Sequence, residues 1–336
     1  MNHTKQNVNW GIAGLGHIAR RFATALTNSR EQVTLYAVAA RDLARANVFG
    51  EEFDCDCRYG CYEEMAQDPH VDAVYISTIH PYHRPLAELF LRHKKHVLVE
   101  KPAFTNLSDW LAMRALAKQN DVLLLEAMKT VTFPAYRELK AYLVTHQLQL
   151  TSIEACFGNQ HVYQPDLPLF NAALSGGATL DVGVYGLWLY CDLCKTLAVE
   201  VEKPAVNMAC LFANAHIDTD AYFTFSGKIH GKISASIAQN QPRSAILRGD
   251  QLLITIQDKW WNPYVIDIEY KGSKLTIESS VEGNGFEFEI DHFSQLILAG
   301  KKDSPILLPD ITAQVLSIME RSLTETGYSH LTLNRR

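Results

Sequence analysis

The stretch VNWGIAGLGHIARRFATAL, residues 8–26, decides the fold. Its first seven residues form a short apolar run ending in glycine, the pattern of a buried strand. Ile18, Ala19, Phe22, Ala23 and Leu26 then recur at helical spacing. Between run and helix stands Gly14-Leu15-Gly16-His17-Ile18-Ala19, a GxGxxA motif. Alone such a motif is weak, but between a strand and a helix it has the context that pyrophosphate binding requires. Gly14 permits the tight turn, Gly16 lets backbone approach the pyrophosphate, and Ala19 is small enough for the helix to lie on the strand. The free N–H groups and the positive dipole end of the helix then face the anion. Gly14, Gly16, His17 and Ile18 are therefore the candidate dinucleotide loop. The competing explanation is a plain strand–turn–helix that needs small residues.

Outward from this loop the alternation continues. VTLYAVAA (33–40) is apolar on both faces, as a buried parallel strand should be, and a helix follows over 43–52. DAVYISTI (72–79), HVLVE (96–100) and VLLLEA (122–127) read as further strands. Between them lie a helix at HRPLAELFLRH and one capped by Ser108 that carries Leu111, Ala115 and Leu116. Strand and helix alternating in this way imply a doubly wound parallel sheet covered on both faces. After about residue 126 the pattern changes. TSIEACFG, VNMACLFANA, DAYFTFSG, KIHGKISASIAQN and SAILRGDQLLITIQ follow, with turn signals at Ser226-Gly227 and Gly249-Asp250. A helix near 183–195 precedes most of them, and helices at 286–299 and 310–325 close the chain. The expected class is α/β: an N-terminal dinucleotide-binding (Rossmann) domain over 1–126, then an α+β domain over 127–336 with an open, mainly antiparallel sheet. The final helices are expected to pack back toward the first domain.

Composition narrows the partners. At about 150 residues per domain, 336 residues suggest two domains and a large core. Lys and Arg total 31 against 37 Asp and Glu, a mild acidity that argues against nucleic acid or an anionic membrane as the main partner. MNHTKQNVNW has no signal-peptide core, and no run reaches the ~18 apolar residues needed to span a bilayer. Seven cysteines, an odd number, then point to reduced thiols and a cytoplasmic location. Cys55, Cys57 and Cys61 lack the CxxC pairing of a thiolate metal site, so no metal is expected. Cys191 and Cys194 do form CxxC, inside an apolar helix, where buried core cysteines are the better reading. Cys156 and Cys210 read as strand residues.

Two further segments carry chemistry. The second strand ends in Ala39-Ala40-Arg41-Asp42. An NAD site usually places a carboxylate there for the ribose hydroxyls. Arg41 instead suits a 2′-phosphate, which points to NADP over NAD, while Asp42 is open to a second role as a helix N-cap. Glu100-Lys101-Pro102 closes a strand whose carboxyl end should face the ligand crevice.

Together, WGIAGLGHIA (10–19), VYISTIHPYHRP (74–85), VEKP (99–102) and GGATLDVGVYG (176–186) resemble the glucose–fructose oxidoreductase/inositol dehydrogenase/MocA (Gfo/Idh/MocA) family over essentially the whole chain. Within it, AVAARDLARA (37–46), IHPYH (79–83) and LDVGVY (180–185) are most similar to the dimeric dihydrodiol dehydrogenase and NADP-dependent xylose dehydrogenase group. The resemblance implies that Lys101 contacts nicotinamide ribose and substrate oxygen. It implies Asp181 and Tyr185 as catalytic partners, with Tyr185 the acid/base. It implies Thr78 and His83 near the nicotinamide, with His83 a reserve acid/base, and Glu100 beside Lys101.

The chemistry agrees with this. A free tyrosine, with pKa about 10, is a poor base at neutral pH. An ammonium about 4 Å away, at an effective dielectric of about 20, attracts the phenolate by about 4 kcal/mol. Asp181 and Tyr185, four apart, would share a helix face, and Gly176-Gly177 before them would suit a close approach to ligand. Considered alone, Tyr185 reads better as a core tyrosine and Asp181 as a helix N-cap.

Two departures bear on specificity: Val131-Thr132 replace the group's Arg-Phe, and Lys129 replaces an aromatic, which suggests an altered substrate pocket. Trp260-Trp261 is either a sugar platform or packing, and His161 and Tyr163 are candidate pocket residues. The expected activity is NADP(H)-dependent hydride transfer on a small sugar, polyol or dihydrodiol-like alcohol or carbonyl. The alternative is a non-catalytic NADP(H)-binding regulator or redox sensor. A homodimer or homotetramer through an apolar face of the C-terminal sheet is expected.

Overall fold

The computed structural model describes residues 6–280 and 283–333; part of the leader reading, residues 1–5, lies outside them. The chain forms two compact units. Unit 1 comprises Met1–Phe104, Ser108–Lys129 and Val281–Pro309; unit 2 comprises Thr105–Leu107, Thr130–Ser280 and Asp310–Arg336.

Unit 1 is built on six parallel strands: β1 (Val8–Ala13), β2 (Val33–Ala39), β3 (Cys57–Tyr59), β4 (Ala73–Ile76), β5 (His96–Glu100) and β6 (Leu124–Ala127). Their order is β3-β2-β1-β4-β5-β6, the doubly wound arrangement. Every residue of β4 and β6 is buried, which is why these strands read as unbroken apolar runs. The helices are α1 (His17–Leu26), α2 (Leu43–Glu52), α3 (Tyr62–Gln67), α4 (His83–Arg92) and α5 (Leu107–Gln119). Ser108 lies inside the first turn of α5 rather than capping it. Phe22 of α1 stacks on Tyr75 of β4 at 3.7 Å.

Unit 2 holds eight strands: β7 (Leu150–Gly158), β8 (Ala205–Ala209), β9 (Asp220–Phe225), β10 (His230–Ser236), β11 (Ala245–Gly249), β12 (Leu252–Ile256), β13 (Val265–Tyr270) and β14 (Ser273–Glu278). Their order is β14-β13-β12-β11-β7-β10-β9-β8. Every pairing is antiparallel except that of β7 with β10. Helices α6 (Pro134–Thr145) and α7 (Val184–Thr196) belong to this unit. Cys191 and Cys194 are buried on α7, and burial raises both thiols, Cys194 to about 11. Cys210 lies just past β8 and is exposed. Of the closing helices, α8 (Glu287–Leu298) belongs to unit 1, where Trp10 of β1 donates to Ser294 at 3.1 Å. Past Pro309, α9 (Pro309–Glu325) belongs to unit 2.

The outer face of this sheet is mixed rather than apolar: Tyr222 is exposed on it, among polar residues. Thr224, Lys232, Arg248 and Thr276 are exposed there, and Lys232–Glu154 and Lys274–Glu269 form ion pairs. Such a face is stable in water, so its apolarity supplies no argument for a second subunit. Among the described residues, no helix is long and apolar enough to cross a membrane, and no group of three or more His, Cys, Asp or Glu could hold a metal ion.

Candidate active site

In unit 1 the loop after β1 is shaped by contact with the loop after β4. Gly14 has φ +93°, and a Cβ there would stand 2.6 Å from Thr78 Cγ2. The Ser77 hydroxyl donates to the Gly14 carbonyl at 2.7 Å. At Gly16 a Cβ would meet nothing within 4 Å, so the head of α1 is open on that side. No side chain caps α1, and its first turns leave N–H groups for an anion. His17 is exposed and Ile18 half-buried beside them. The Thr78 hydroxyl is buried and has no hydrogen-bond partner. An uncapped helix head, open space at Gly16 and an orphaned hydroxyl fit a dinucleotide.

At the end of β2, Asp42 is the N-cap of α2 and accepts from Ala44 N–H at 2.9 Å. Arg41 lies 5.1 Å over the Tyr82 ring and donates to its hydroxyl at 3.2 Å. The positive charges of Arg41 and Arg45 both act on Tyr62, so a second guanidinium shares this corner.

The Lys101 segment is held from three sides. The Glu100 carboxylate accepts from the Lys101 N–H at 3.1 Å and from the Tyr75 hydroxyl. Glu126 of β6 accepts from Ala103 N–H at 2.8 Å. His83 places Nδ1 3.1 and 3.2 Å from the Pro102 and Ala103 carbonyls and Nε2 2.9 Å from the Thr78 carbonyl. The Lys101–Pro102 peptide is cis. Both ring nitrogens of the buried His83 therefore face backbone, and burial holds its pKa down against the pull of the carbonyls. Both nitrogens are turned to backbone carbonyls, and a neutral ring donates from only one of them, an arrangement that favours a bracing role over the reserve acid/base role. His83 ties the β4 loop to the β5 loop. His83→Gln should cost about 2 kcal/mol in denaturant unfolding and leave both limbs of the pH–rate profile in place. Loss of a limb would restore His83 as an acid or base.

In unit 2 the GGATLDVG segment differs from the expected helix. Thr179–Gly183 is a π turn, and α7 begins at Val184. Asp181 and Tyr185 thus sit on two helix types, and their four-residue spacing is not that of a regular α-helical face. Both are half-buried. Asp181 is within the turn and is not its N-cap, which is Ala178. Gly176 and Gly177 are not needed for ligand approach. A Cβ on Gly176 would stand 2.5 Å from the Leu169 carbonyl, and one on Gly177 (φ +112°) 2.2 Å from Asp218 Oδ1, so the protein itself fills both spaces.

Tyr185 lies 5.3 Å from Phe157, which stacks on Trp261 at 3.7 Å. Trp260 is fully buried and donates to the Cys156 carbonyl at 2.6 Å. The tryptophan pair therefore divides: Trp260 packs, and Trp261 extends an aromatic row from Tyr185. Tyr163 stacks on Phe212 at 4.8 Å and is a packing residue, while His161 is exposed.

Residues 8–128 match the family described as "Oxidoreductase family, NAD-binding Rossmann fold". Trans-1,2-dihydrobenzene-1,2-diol dehydrogenase of Xenopus tropicalis is 31% identical over 332 residues, covering 96% of this chain and 98% of that one. The chain belongs to the Gfo/Idh/MocA oxidoreductase family. Solved structures share the fold. A 3-ketoreductase from Actinomadura kijaniata in complex with NADP and TDP-benzene superposes with TM-score 0.81 at 21% identity, over 95% of this chain and 98% of that one. An aldose-aldose oxidoreductase from Caulobacter crescentus complexed with glycerol gives TM-score 0.81 at 23% identity, with the same coverage.

Against the Gfo/Idh/MocA pattern, Lys129 has a use inside unit 1. It is buried, 4.9 Å over the Phe286 ring, and feels the charges of Glu289, Glu100 and Glu287 together with Arg21. It is a buried charge of unit 1. Val131 and Thr132 are 2% exposed. Sequence reasoning missed Glu126 and Glu289 of unit 1 and Asp218 of unit 2. Each is an acidic residue without a motif; the available hint was Glu126 within an otherwise apolar strand.

Proposed function

We propose that the chain is an NADP(H)-dependent oxidoreductase that moves hydride between the nicotinamide and a carbon of a small sugar, polyol or dihydrodiol-like alcohol, or its carbonyl form. One observation carries the cofactor preference. Asp42 uses one carboxylate oxygen to cap α2, and Arg41, with Arg45 beside it, brings guanidinium charge to the end of β2. A 2′-phosphate finds guanidinium charge in that place. The A. kijaniata 3-ketoreductase, described with NADP, supports the same choice.

The bound nicotinamide supplies or accepts the hydride, and the residues of the chain handle the proton. Gly14, Gly16, His17 and Ile18 hold the pyrophosphate, and Thr78 offers its free hydroxyl to the nucleotide. Lys101, on its braced segment, binds and polarises the substrate oxygen. Tyr185 exchanges the proton, and Asp181 orients the substrate. The aromatic row Tyr185–Phe157–Trp261 suits the C–H face of a sugar or dihydrodiol ring. The dihydrodiol dehydrogenase relative supports that substrate class.

The test is kcat/KM for NADP and NAD in wild type and Arg41→Ala. Wild type should prefer NADP. Arg41→Ala should lose about 10–100-fold with NADP and change little with NAD, as removal of a charge-assisted contact does. Equal or better use of NAD by wild type would defeat the proposal.

A further inference from the structure

Asp218 sits just before β9 and is fully buried. Its Oδ2 accepts from the Thr179 N–H at 2.7 Å, and its own carbonyl accepts from the Ala178 N–H at 2.7 Å. Oδ1 has no partner, and it occupies the space beside Gly177 where a side chain would go. Gly177, Ala178 and Thr179 thus fold around one residue, Asp218: its carboxyl meets Gly177 and Thr179, and its main-chain carbonyl meets Ala178. No side chain caps that turn at Ala178, so its free N–H groups and positive dipole end meet Asp218 instead. The next residues are Leu180 and Asp181, and α7 with Tyr185 continues directly from the turn.

We infer that Asp218 is the positioning residue of the Asp181–Tyr185 segment: its carboxyl holds the Thr179 N–H and fills the space beside Gly177, and so sets where Asp181 and Tyr185 stand. The inference rests on the catalytic reading of those two residues. The titratable groups that face Asp218 are Asp220 on β9 and Tyr328 after α9, with Cys210 acting on Tyr328. Asp220 is held by the Ser236 and Thr219 hydroxyls. Burial raises the Asp218 carboxyl to about 7, assisted by the charge of Asp220 and opposed by the Thr179 contacts. The grip therefore gains charge as pH rises through neutrality, and turnover should rise with it.

Asp218→Asn keeps an acceptor for Thr179 and removes the charge; Asp218→Ala removes both. The Thr179 amide proton shift and the pH–rate profile are followed in wild type and both variants. In wild type the amide should titrate with a midpoint near pH 7. Asp218→Asn should abolish that titration and the matching limb of the rate profile. It should lower kcat by about tenfold above that pH, with the cofactor KM unchanged. Asp218→Ala should lower kcat by about 100-fold. A purely structural role would lower the folded fraction without moving the limb. Wild-type kcat with an intact limb in Asp218→Asn overturns the proposal, as does a wild-type amide that does not titrate. Failure of the catalytic reading has a different signature: Tyr185→Phe would then retain wild-type turnover, whereas the Thr179 titration and its loss in Asp218→Asn would persist.

Discussion

Lys101→Met should lower kcat by about 10²–10³-fold while NADPH still binds with a dissociation constant within about threefold of wild type. Methionine keeps most of the side-chain length and removes the charge. The segment itself should stay in place, because Glu100, Glu126 and His83 hold its backbone at Lys101, Pro102 and Ala103. The dinucleotide loop is built by Gly14, Gly16, Ser77 and the head of α1, none of which the substitution touches. The loss should therefore fall on the chemical step, where a positive charge stabilises oxygen as it becomes alkoxide-like. Single-turnover rates and NADPH titration by fluorescence separate the two effects. If Lys101→Met keeps more than about a tenth of kcat, the lysine is not the oxygen-binding group.

A second large effect should be on stability. Lys129→Met removes the ammonium from a buried cluster that contains Glu100 and Glu289. Both carboxyls are pushed up by burial, and Lys129 pulls both down. Glu289 is fully buried, and neither of its oxygens has a hydrogen-bond partner. Taking one partner from such a group costs about 3–5 kcal/mol, because the charges left behind are uncompensated.

The sign of the pH dependence follows from the carboxyls. Without Lys129 their folded pKa values rise further above the unfolded ones. A raised carboxyl contributes stability that is complete below its unfolded pKa and is lost as pH rises through the folded pKa. The gap between variant and wild type should therefore widen as pH rises through the raised wild-type carboxyl pKa values, and stop widening near pH 8, where Lys129 itself gives up its proton, in urea unfolding. Adding Glu289→Gln should recover part of it. A gap that is constant with pH, or no recovery in the double variant, would show that Lys129 acts through packing over Phe286 instead.

What could be read in the sequence followed from periodicity and from backbone chemistry. The β1–α1 unit was legible because Gly14, Gly16 and Ala19 interrupt two strongly patterned runs. The limits of α2, residues 43–52, were legible because Asp42 precedes a helical repeat, and the structure settles Asp42 as its cap. Strands β13 and β14 were not marked out: Asp267, Glu269, Lys274 and Thr276 give them polar outer positions that resemble a charged loop.

Roles that depend on what approaches a residue were harder to see. Gly176-Gly177 signalled a close approach correctly, but a sequence does not say whether ligand or protein makes it. His83 carried chemistry by residue type, and only the carbonyls its ring nitrogens face point to a bracing role. Lys129 looked like a pocket substitution because its partners, Glu100 and Glu289, are distant in sequence. Asp218, in an Asp-Thr-Asp run between strands, had the look of a solvated turn until its burial against Thr179 was seen.

The central claim is tested most directly by initial rates of nicotinamide absorbance change. Wild type and Lys101→Met are assayed with NADP and NAD against pentoses, hexoses, inositols and a trans-dihydrodiol, and in reverse with NADPH and keto-sugars. The account predicts NADP-dependent turnover of at least one of these substrates by wild type, nearly abolished in Lys101→Met. Turnover that prefers NAD, that survives Lys101→Met, or that is absent across the whole panel despite tight NADPH binding would contradict it.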